Sequence, residues 1–268
     1  MVGMVRRRFG ERQVGHAGTL DPDATGVLVV AVGAATRLLR FATAGIKRYT
    51  GEVVLGIETD TLDAAGQVTA RHDMGPIPIQ AIRDVVAQHL LGEIEQVPPM
   101  VSAIKVEGRR LHELAREGIE VEREPRPVRI DSFLVEPTDR VDVLHIDVVC
   151  SPGTYIRTLA ADLGGLLGGG AHLRGLRRVS SGNFTVDMAG SPEEADLLGV
   201  ARLVDHLAPV VVDDETAARI ATGQVMDRWE GDGPWAVYGA TGELLAVYEV
   251  FRGELVKPTV VLPAGIYR

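Results

Sequence analysis

The sequence predicts an α+β fold with a small β-rich tail, and three observations lead there. Apolar residues alternate with polar ones at 47–56, 128–135 and 141–149, the period of half-buried strands. Residues 79–91 and 153–163 carry apolar side chains at spacings of three and four, the period of an amphipathic helix. Near Ala208-Pro209 the composition shifts to short β-rich runs, so the expected division is a larger domain over 1–209 and a small one over 210–268.

Taken in order, residues 1–12 read as the end of an amphipathic helix, with Val2 and Val5 on one side and arginines on the other. Residues 15–20 read as a loop leading to Asp21-Pro22, followed by an apolar run at 26–35 and a helical period at 35–41. The strand at 47–56 places Tyr49, Gly51, Val53 and Leu55 on one face. Thr59-Asp60-Thr61-Leu62-Asp63 with Ala65-Gly66 is turn chemistry. The helix at 79–91 keeps His89 on its surface, and Pro98-Pro99 breaks the chain. A short strand at 102–106 and a short helix at 111–116 follow, with His112 on the helix surface. The strands at 128–135 and 141–149 read as neighbours across a Thr138-Asp139-Arg140 turn. The helix from Gly153 holds Tyr155 and Arg157 in its first turns. An arginine there opposes the helix macrodipole, which points to an anionic partner for Arg157. The glycine tract at 164–170 ends that helix, and two short strands turn about Ser180-Ser181-Gly182-Asn183. Ser191-Pro192-Glu193-Glu194 has the form of a helix start. In the tail, a helix at 215–222 lies among strands at 210–212, 235–238, 244–250 and 256–262.

The 268 residues are 46% apolar, enough for a real core. The single cysteine, Cys150, sits in an apolar run, reads as a buried small hydrophobe and fits a reducing compartment. The N-terminus has no apolar signal region, and no run approaches the roughly 18 residues of a bilayer span, so a soluble cytoplasmic protein without membrane attachment is expected. A net charge of −9 argues against indiscriminate nucleic-acid binding. The arginines nonetheless cluster, at Arg6-Arg7-Arg8, Arg109-Arg110, Arg123/Arg126/Arg129 and Arg174/Arg177/Arg178, which leaves a basic face compatible with an acidic whole.

The most informative stretch is Gly15-His16-Ala17-Gly18-Thr19-Leu20-Asp21-Pro22-Asp23-Ala24-Thr25-Gly26-Val27-Leu28. It presents a carboxylate on a Gly- and Pro-braced loop backed by an apolar element. One reading makes Asp21 a helix cap with Pro22 at the first helical position. Asp21-x-Asp23-x-Thr25, with Val210-Val211-Val212-Asp213-Asp214, also imitates the acidic motifs of haloacid-dehalogenase-like phosphatases. Those need an apolar strand before the first aspartate, which Gly15-His16-Ala17-Gly18-Thr19 does not provide. The third reading is glycosidic chemistry on a nucleotide.

That third reading is carried by a resemblance. The stretch above with Ala35-Thr36-Arg37 resembles the nucleophile motif of the TruB family of tRNA pseudouridine synthases. Lys47-Arg48-Tyr49 and Leu55-Gly56 are similar to its second motif, with Thr59-Asp60-Thr61, Asp63 and Gly66 after it. Val97-Pro98-Pro99, Ser102-Ala103-Ile104-Lys105, Gly108-Arg109-Arg110 and Ala115-Arg116 resemble the next. Gly153-Thr154-Tyr155-Ile156-Arg157-Thr158-Leu159, Asp162-Leu163-Gly164, Gly170-Ala171-His172-Leu173, Leu176-Arg177-Arg178, Gly182 and Phe184 complete an ordered set from about residue 4 to 190. The resemblance implies a pseudouridine synthase fold with a mixed, largely antiparallel central sheet and a PUA-like tail. It implies isomerisation of the T-loop uridine at tRNA position 55, with no cofactor and no metal; a monomer without an obligatory protein partner is expected. By the same resemblance Asp21 is the nucleophile and Arg157 its partner. Tyr49 stacks on the flipped base and is the path for the C5 proton. His16 packs in the opened T loop, and Tyr155 and Leu176 line the uridine pocket. A nearby arginine is expected to lower the Asp21 pKa. The chain departs from the family pattern in two places. It lacks the family's opening Lys-Pro and Thr-Ser segment, so an N-terminal piece is expected to be missing, and His112 stands where a tyrosine is usual. A non-catalytic RNA-binding or tRNA-folding protein is the alternative from another class, and it has no need for Asp21. A relative working inside a guide-RNA particle is disfavoured because the chain has no extended basic tail.

Overall fold

In the computed structural model, which describes residues 1–102, 104–106, 108–119 and 121–263, the chain forms two compact units. One is built from residues 19–28 and 44–187, the other from 1–18, 29–43 and 188–268.

The first unit is organised on β1 (Thr25–Gly26), β2 (Lys47–Leu55), α1 (Ile79–His89), β3 (Gly92–Gln96), β4 (Arg126–Pro137), β5 (Val143–Cys150), α2 (Ile156–Leu166), β6 (Ala171–Ser181) and β7 (Phe184–Thr185). Its seven-stranded sheet runs β7-β6-β2-β5-β4-β3, with β1 pairing parallel to β6 and every other pair antiparallel. The alternation in β2 does what it predicts: Tyr49, Val53 and Leu55 are buried on one face. They share a core with Ile82, Val86 and Leu90 from α1 and its end, and with Ile156, Leu159 and Leu163 from α2. The 3.6-residue period of both helices therefore meets the two-residue period of the sheet across one apolar layer. As expected, β4 and β5 are antiparallel neighbours, in register from Phe133 opposite Val148 to Pro137 opposite Leu144. Residues 173–186 were expected as two short strands. The first is instead longer, starting at Ala171, and turns at Gly182-Asn183 into β7.

In β6 the register shifts between Arg174 and Arg177, with Gly175 at φ +62°. This bulge re-aims Leu176. A Cβ on Gly51 of β2 would lie 3.3 Å from the Arg174 carbonyl oxygen and 3.6 Å from Leu176 Cα, so the glycine makes room for the bulge.

The second unit contains the helix Val2–Phe9, with Val5 buried, and a hairpin pairing Val14–Ala17 with Val29–Val32. Residues 15–17 were read as loop. They are strand because Val14 and Ala17 are buried and the partner is a run of four apolar residues, Val29–Val32. No helix begins at Asp21-Pro22 either: the Ala24 N–H donates to the Asp21 carbonyl at 3.0 Å, a single turn, and the capping reading falls. Ser191-Pro192-Glu193-Glu194 makes one helical turn, the Ala195 N–H donating to the Ser191 carbonyl at 2.8 Å, and does not continue. The last part of the chain forms a five-stranded sheet in the order Ala208–Val211, Trp235–Tyr238, Leu244–Arg252, Leu255–Val261, Met226–Asp227, parallel in its first pair and antiparallel elsewhere. The helix Asp214–Ala221 contributes Ile220 to the core of Trp235, Val237 and Tyr248, and Asp213 caps it by accepting from the Thr216 N–H at 2.8 Å. The aspartate pair that imitated a phosphatase motif is thus a helix start. Among the described residues, no helix is long and apolar enough to cross a membrane.

Candidate active site

The Asp21 loop is fastened at its far end to β6. Thr25 and Gly26 pair with Arg177 and Arg178, and the Val27 N–H donates to the Arg178 carbonyl at 2.9 Å. Gly26 has φ +96°, and a Cβ there would sit 2.1 Å from the Arg178 carbonyl oxygen, so only glycine allows this approach. Leu20, just before Asp21, packs against the sheet core. A turn held on one side by an apolar anchor and on the other by backbone pairing leaves Asp21 little freedom.

Arg157 meets it from the first turn of α2. Its guanidinium grips the carboxylate with both arms, Nε to Oδ2 and Nη2 to Oδ1, each at 2.9 Å. Two further donors are also used: Nη1 to the Thr61 carbonyl and Nη2 to the Val101 carbonyl, each at 2.9 Å. Asp63 Oδ2 lies 3.6 Å from Nη1. The arginine is 4% exposed, the Asp21 side chain 35%. The sequence hint that Arg157 needs an anion at a helix start is therefore met, and twice.

Helix α2 begins where it does because Gln96, 1% exposed on β3, holds the Tyr155 backbone with both arms of its amide. The Tyr155 N–H donates to Oε1 at 3.0 Å, and Nε2 donates to the Tyr155 carbonyl at 3.3 Å. The turn carrying Asp63 is similarly self-bonded. Thr59 Oγ1 donates to the Asp63 carbonyl at 2.7 Å, and Asp63 Oδ1 accepts from Thr61 Oγ1 at 2.6 Å and from the Ala65 N–H at 3.1 Å.

These parts surround a small open cleft of about 60 Å³. Asp21, Asp23, Asp63, Arg157, Arg174 and Leu176 contribute to its wall, with Leu173 behind them. Three carboxylates thus face two guanidiniums, and both are paired: Arg157 as above, and Arg174, whose Nε donates to Glu52 Oε2 at 2.7 Å. Burial raises the Asp21 pKa above the ordinary carboxylate value, and Asp63 and Asp23 add to the rise; Arg157 opposes it without reversing it. The expectation that the arginine would leave this pKa lowered is corrected. Desolvation of a carboxylate in a cleft outweighs one ion pair.

The other expected site residues are distributed unevenly. Tyr49 is 7% exposed and does not line the cleft; it stands in the core opposite Arg178 of β6. Burial raises its pKa, the Arg178 guanidinium opposes that rise by charge and hydrogen bonding, and the Asp21 charge is felt at the phenol. Leu176 lines the cleft from the bulge. Tyr155 is half-buried at the cap of α2 and is not on the cleft wall. His16 lies in the other unit, exposed on the strand Val14–Ala17 opposite Val30. The His112 side chain lies outside the described part of the structure. Residues that sequence reasoning gave no role are Asp63, Gln96 and Arg178. Asp63 stood in a turn that was also part of the family resemblance, without a role of its own. Arg178 stood in a basic cluster and in a motif of the family resemblance but was given no individual role, and Gln96 carried no signal, because their contacts join segments far apart in the chain. Among the described residues no group of three or more His, Cys, Asp or Glu is placed to hold a metal ion.

Comparison with known proteins bears on the whole chain. The family model "TruB family pseudouridylate synthase (N terminal domain)" matches residues 6–156, and "tRNA pseudouridylate synthase B C-terminal domain" matches 157–211. A tRNA pseudouridine synthase B of Symbiobacterium thermophilum is 47% identical over 83% of this chain and 77% of its own. One of Mycobacterium tuberculosis is 43% identical over 92% of this chain and 86% of its own. The fold is similar to that in a crystal structure of a Cbf5-Nop10-Gar1 complex, with a TM-score of 0.69 at 24% identity over 94% of this chain and 74% of the other. With a family model spanning more than half of its length and relatives this similar, the chain belongs to the TruB family of pseudouridylate synthases.

Proposed function

We propose that this protein isomerises uridine to pseudouridine in tRNA, at position 55 of the T loop, with Asp21 as the nucleophile. The observation that carries the reading is the two-armed Arg157–Asp21 pair on the wall of a cleft, with the carboxylate still about one-third exposed. Family membership supplies the substrate class.

The reaction is balanced within the substrate. The N1–C1′ bond breaks and a C5–C1′ bond forms. The C5 proton leaves, and N1 gains one. No electrons are exchanged, so a resident redox group has no step to supply. Asp21 provides the transient covalent partner. Arg157 fixes the direction of its lone pairs, and the cleft wall removes part of its water. The target base must leave its stack to reach Asp21, which costs a few kcal/mol and least in a loop. Tyr49, buried in the core and off the resting cleft wall, is the residue for stacking on the detached uracil and for the path of the C5 proton once the base has entered, and its raised pKa keeps the phenol neutral. Leu176 is an apolar wall while the ring rotates. In the same reading Tyr155 lines the uridine pocket with Leu176, and His16 packs in the opened T loop. The reading includes a monomeric cytoplasmic enzyme that needs no protein partner, metal or cofactor.

Release of tritium from C5-labelled uridine in a T-stem-loop RNA tests this. The expected result is one tritium released per uridine converted. RNA binding with no release at any enzyme concentration overturns the reading in favour of a non-catalytic RNA-binding protein.

A further inference from the structure

Arg178 is a large, charged side chain with almost no access to solvent, 1% exposed, and the chemistry described above does not use it. Three contacts define its place. Its Nε donates to the Val27 carbonyl at 2.7 Å. Its own carbonyl accepts from the Val27 N–H at 2.9 Å, so side chain and backbone grip the same residue of the Asp21 loop. On the other side it is the cross-strand partner of Tyr49, and its guanidinium acts on the phenol through charge and a hydrogen-bond contact. Gly26, at which a Cβ would collide with the Arg178 carbonyl, closes the junction.

A buried guanidinium is costly, and a methionine of similar volume would often serve packing as well or better. A purely structural account also gives no reason why the charge should sit between these two segments. The loop end and the aromatic ring belong to different strands, β1 and β2, neither bonded to the other. Arg178 on β6 pairs with both. We propose that Arg178 is a positioning residue: it sets the orientation of the Tyr49 ring against the Asp21 loop and acts on the reaction through Tyr49. This rests on the reading of Asp21 and Tyr49 given above. In this role the guanidinium touches neither substrate nor the reacting atoms.

The test is a double-mutant cycle on the full chain with T-stem-loop RNA. It compares the parent, Arg178→Lys, Tyr49→Phe and the double variant. Single-turnover tritium release and RNA dissociation constants are measured for each. Lysine keeps the charge but loses the planar fork that spans Val27 and Tyr49. A small misplacement at a reacting centre costs about 10- to 100-fold in rate, so Arg178→Lys is expected to slow release by at least about 10-fold. RNA affinity is expected to stay within about two-fold, the scatter of independent sites. In the Tyr49→Phe background the same substitution is expected to slow release by less than about two-fold, because its route to the reaction is already gone. If Arg178→Lys does not fold, Arg178→Gln replaces it with the same expectations, since glutamine retains a donor for Val27. Equal losses in both backgrounds, or an unchanged rate in Arg178→Lys, overturn the proposal. A lowered RNA affinity with normal single-turnover rate does so as well. If the parent itself releases no tritium, the functional reading fails instead, and the two failures are thereby distinguished.

Discussion

Arg157→Met is the substitution that most directly interrogates the site. Arg157 is 4% exposed and donates to four acceptor positions: both oxygens of Asp21, the Thr61 carbonyl and the Val101 carbonyl. Methionine fills a similar volume, so the loss is electrostatic rather than a cavity. Each orphaned carbonyl costs about 1 kcal/mol. Removing one partner of a fully buried ion pair costs about 3–5 kcal/mol, but the Asp21 side chain is 35% exposed and recovers water, so about 2 kcal/mol is the better figure. The expected destabilisation is about 4 kcal/mol, a large share of the roughly 5–15 kcal/mol of a typical domain, and the protein still folds. Urea denaturation reads this. The rate falls further than stability explains. With the carboxylate no longer oriented, single-turnover tritium release under folding conditions drops by about 100-fold or more. The pH dependence adds a sign. Arg157 is the influence that lowers the Asp21 pKa against burial, Asp63 and Asp23. Without it the pKa rises further, and the acid limb of the rate profile moves to higher pH. A variant that loses stability but keeps the parental single-turnover rate shows that Arg157 is a structural arginine only, and the reasoning about the site fails.

Asp21→Asn is expected to abolish tritium release while T-stem-loop binding survives. Its stability at neutral pH should be no lower than the parent's. The folded-state pKa of Asp21 is raised, so its contribution to folding is fully present below the ordinary carboxylate value and is lost as pH rises through the raised one; denaturation curves at acid and neutral pH check this. Gly26→Ala, whose Cβ would lie 2.1 Å from the Arg178 carbonyl oxygen at φ +96°, should cost about 1–3 kcal/mol by urea denaturation and slow release by displacing the Asp21 loop. Arg174→Gln removes the half-exposed cation of the cleft wall, which is paired with Glu52 rather than with Asp21. It should weaken RNA binding, lower the slope of log K against log salt by about 1, and leave the single-turnover rate at saturating RNA unchanged.

Much of the arrangement was legible because it is local. The 47–55 alternation fixed which face of β2 is buried, and the helix periods at 79–91 and 153–163 fixed what covers it. Arg157 at a helix start signalled an anionic partner before any distance was known. What failed to show was non-local. Gly15 and His16 hide a strand whose existence depends on Val29–Val32, beyond the loop. Ser191 Oγ donates to Glu194 Oε2 at 3.2 Å, a bond between side chains, and no helix follows. Leu197 and Leu198 remain 63% and 48% exposed, and a short helix without a packed face does not persist. The direction of the Asp21 pKa was missed for the same reason: the sequence displays charges but not the desolvation that competes with them.

On the proposed function, the presence of Asp63 is explained by the charge changes that Asp21 would undergo as a nucleophile. In the resting site the buried Arg157 is balanced by the Asp21 carboxylate. Once Asp21 forms a covalent bond to substrate its charge disappears, and Arg157 would remain as a buried cation with only two carbonyls for company. Such a charge is too costly to leave uncompensated. Asp63 Oδ2, 3.6 Å from Nη1, is already in place and its turn is bonded internally, so it supplies the missing charge without moving. In the resting state that same charge raises the Asp21 pKa. It therefore destabilises the free carboxylate and favours the state in which Asp21 is neutralised by bonding. On that reading one residue would act on both ends of the covalent step, in the same direction each time.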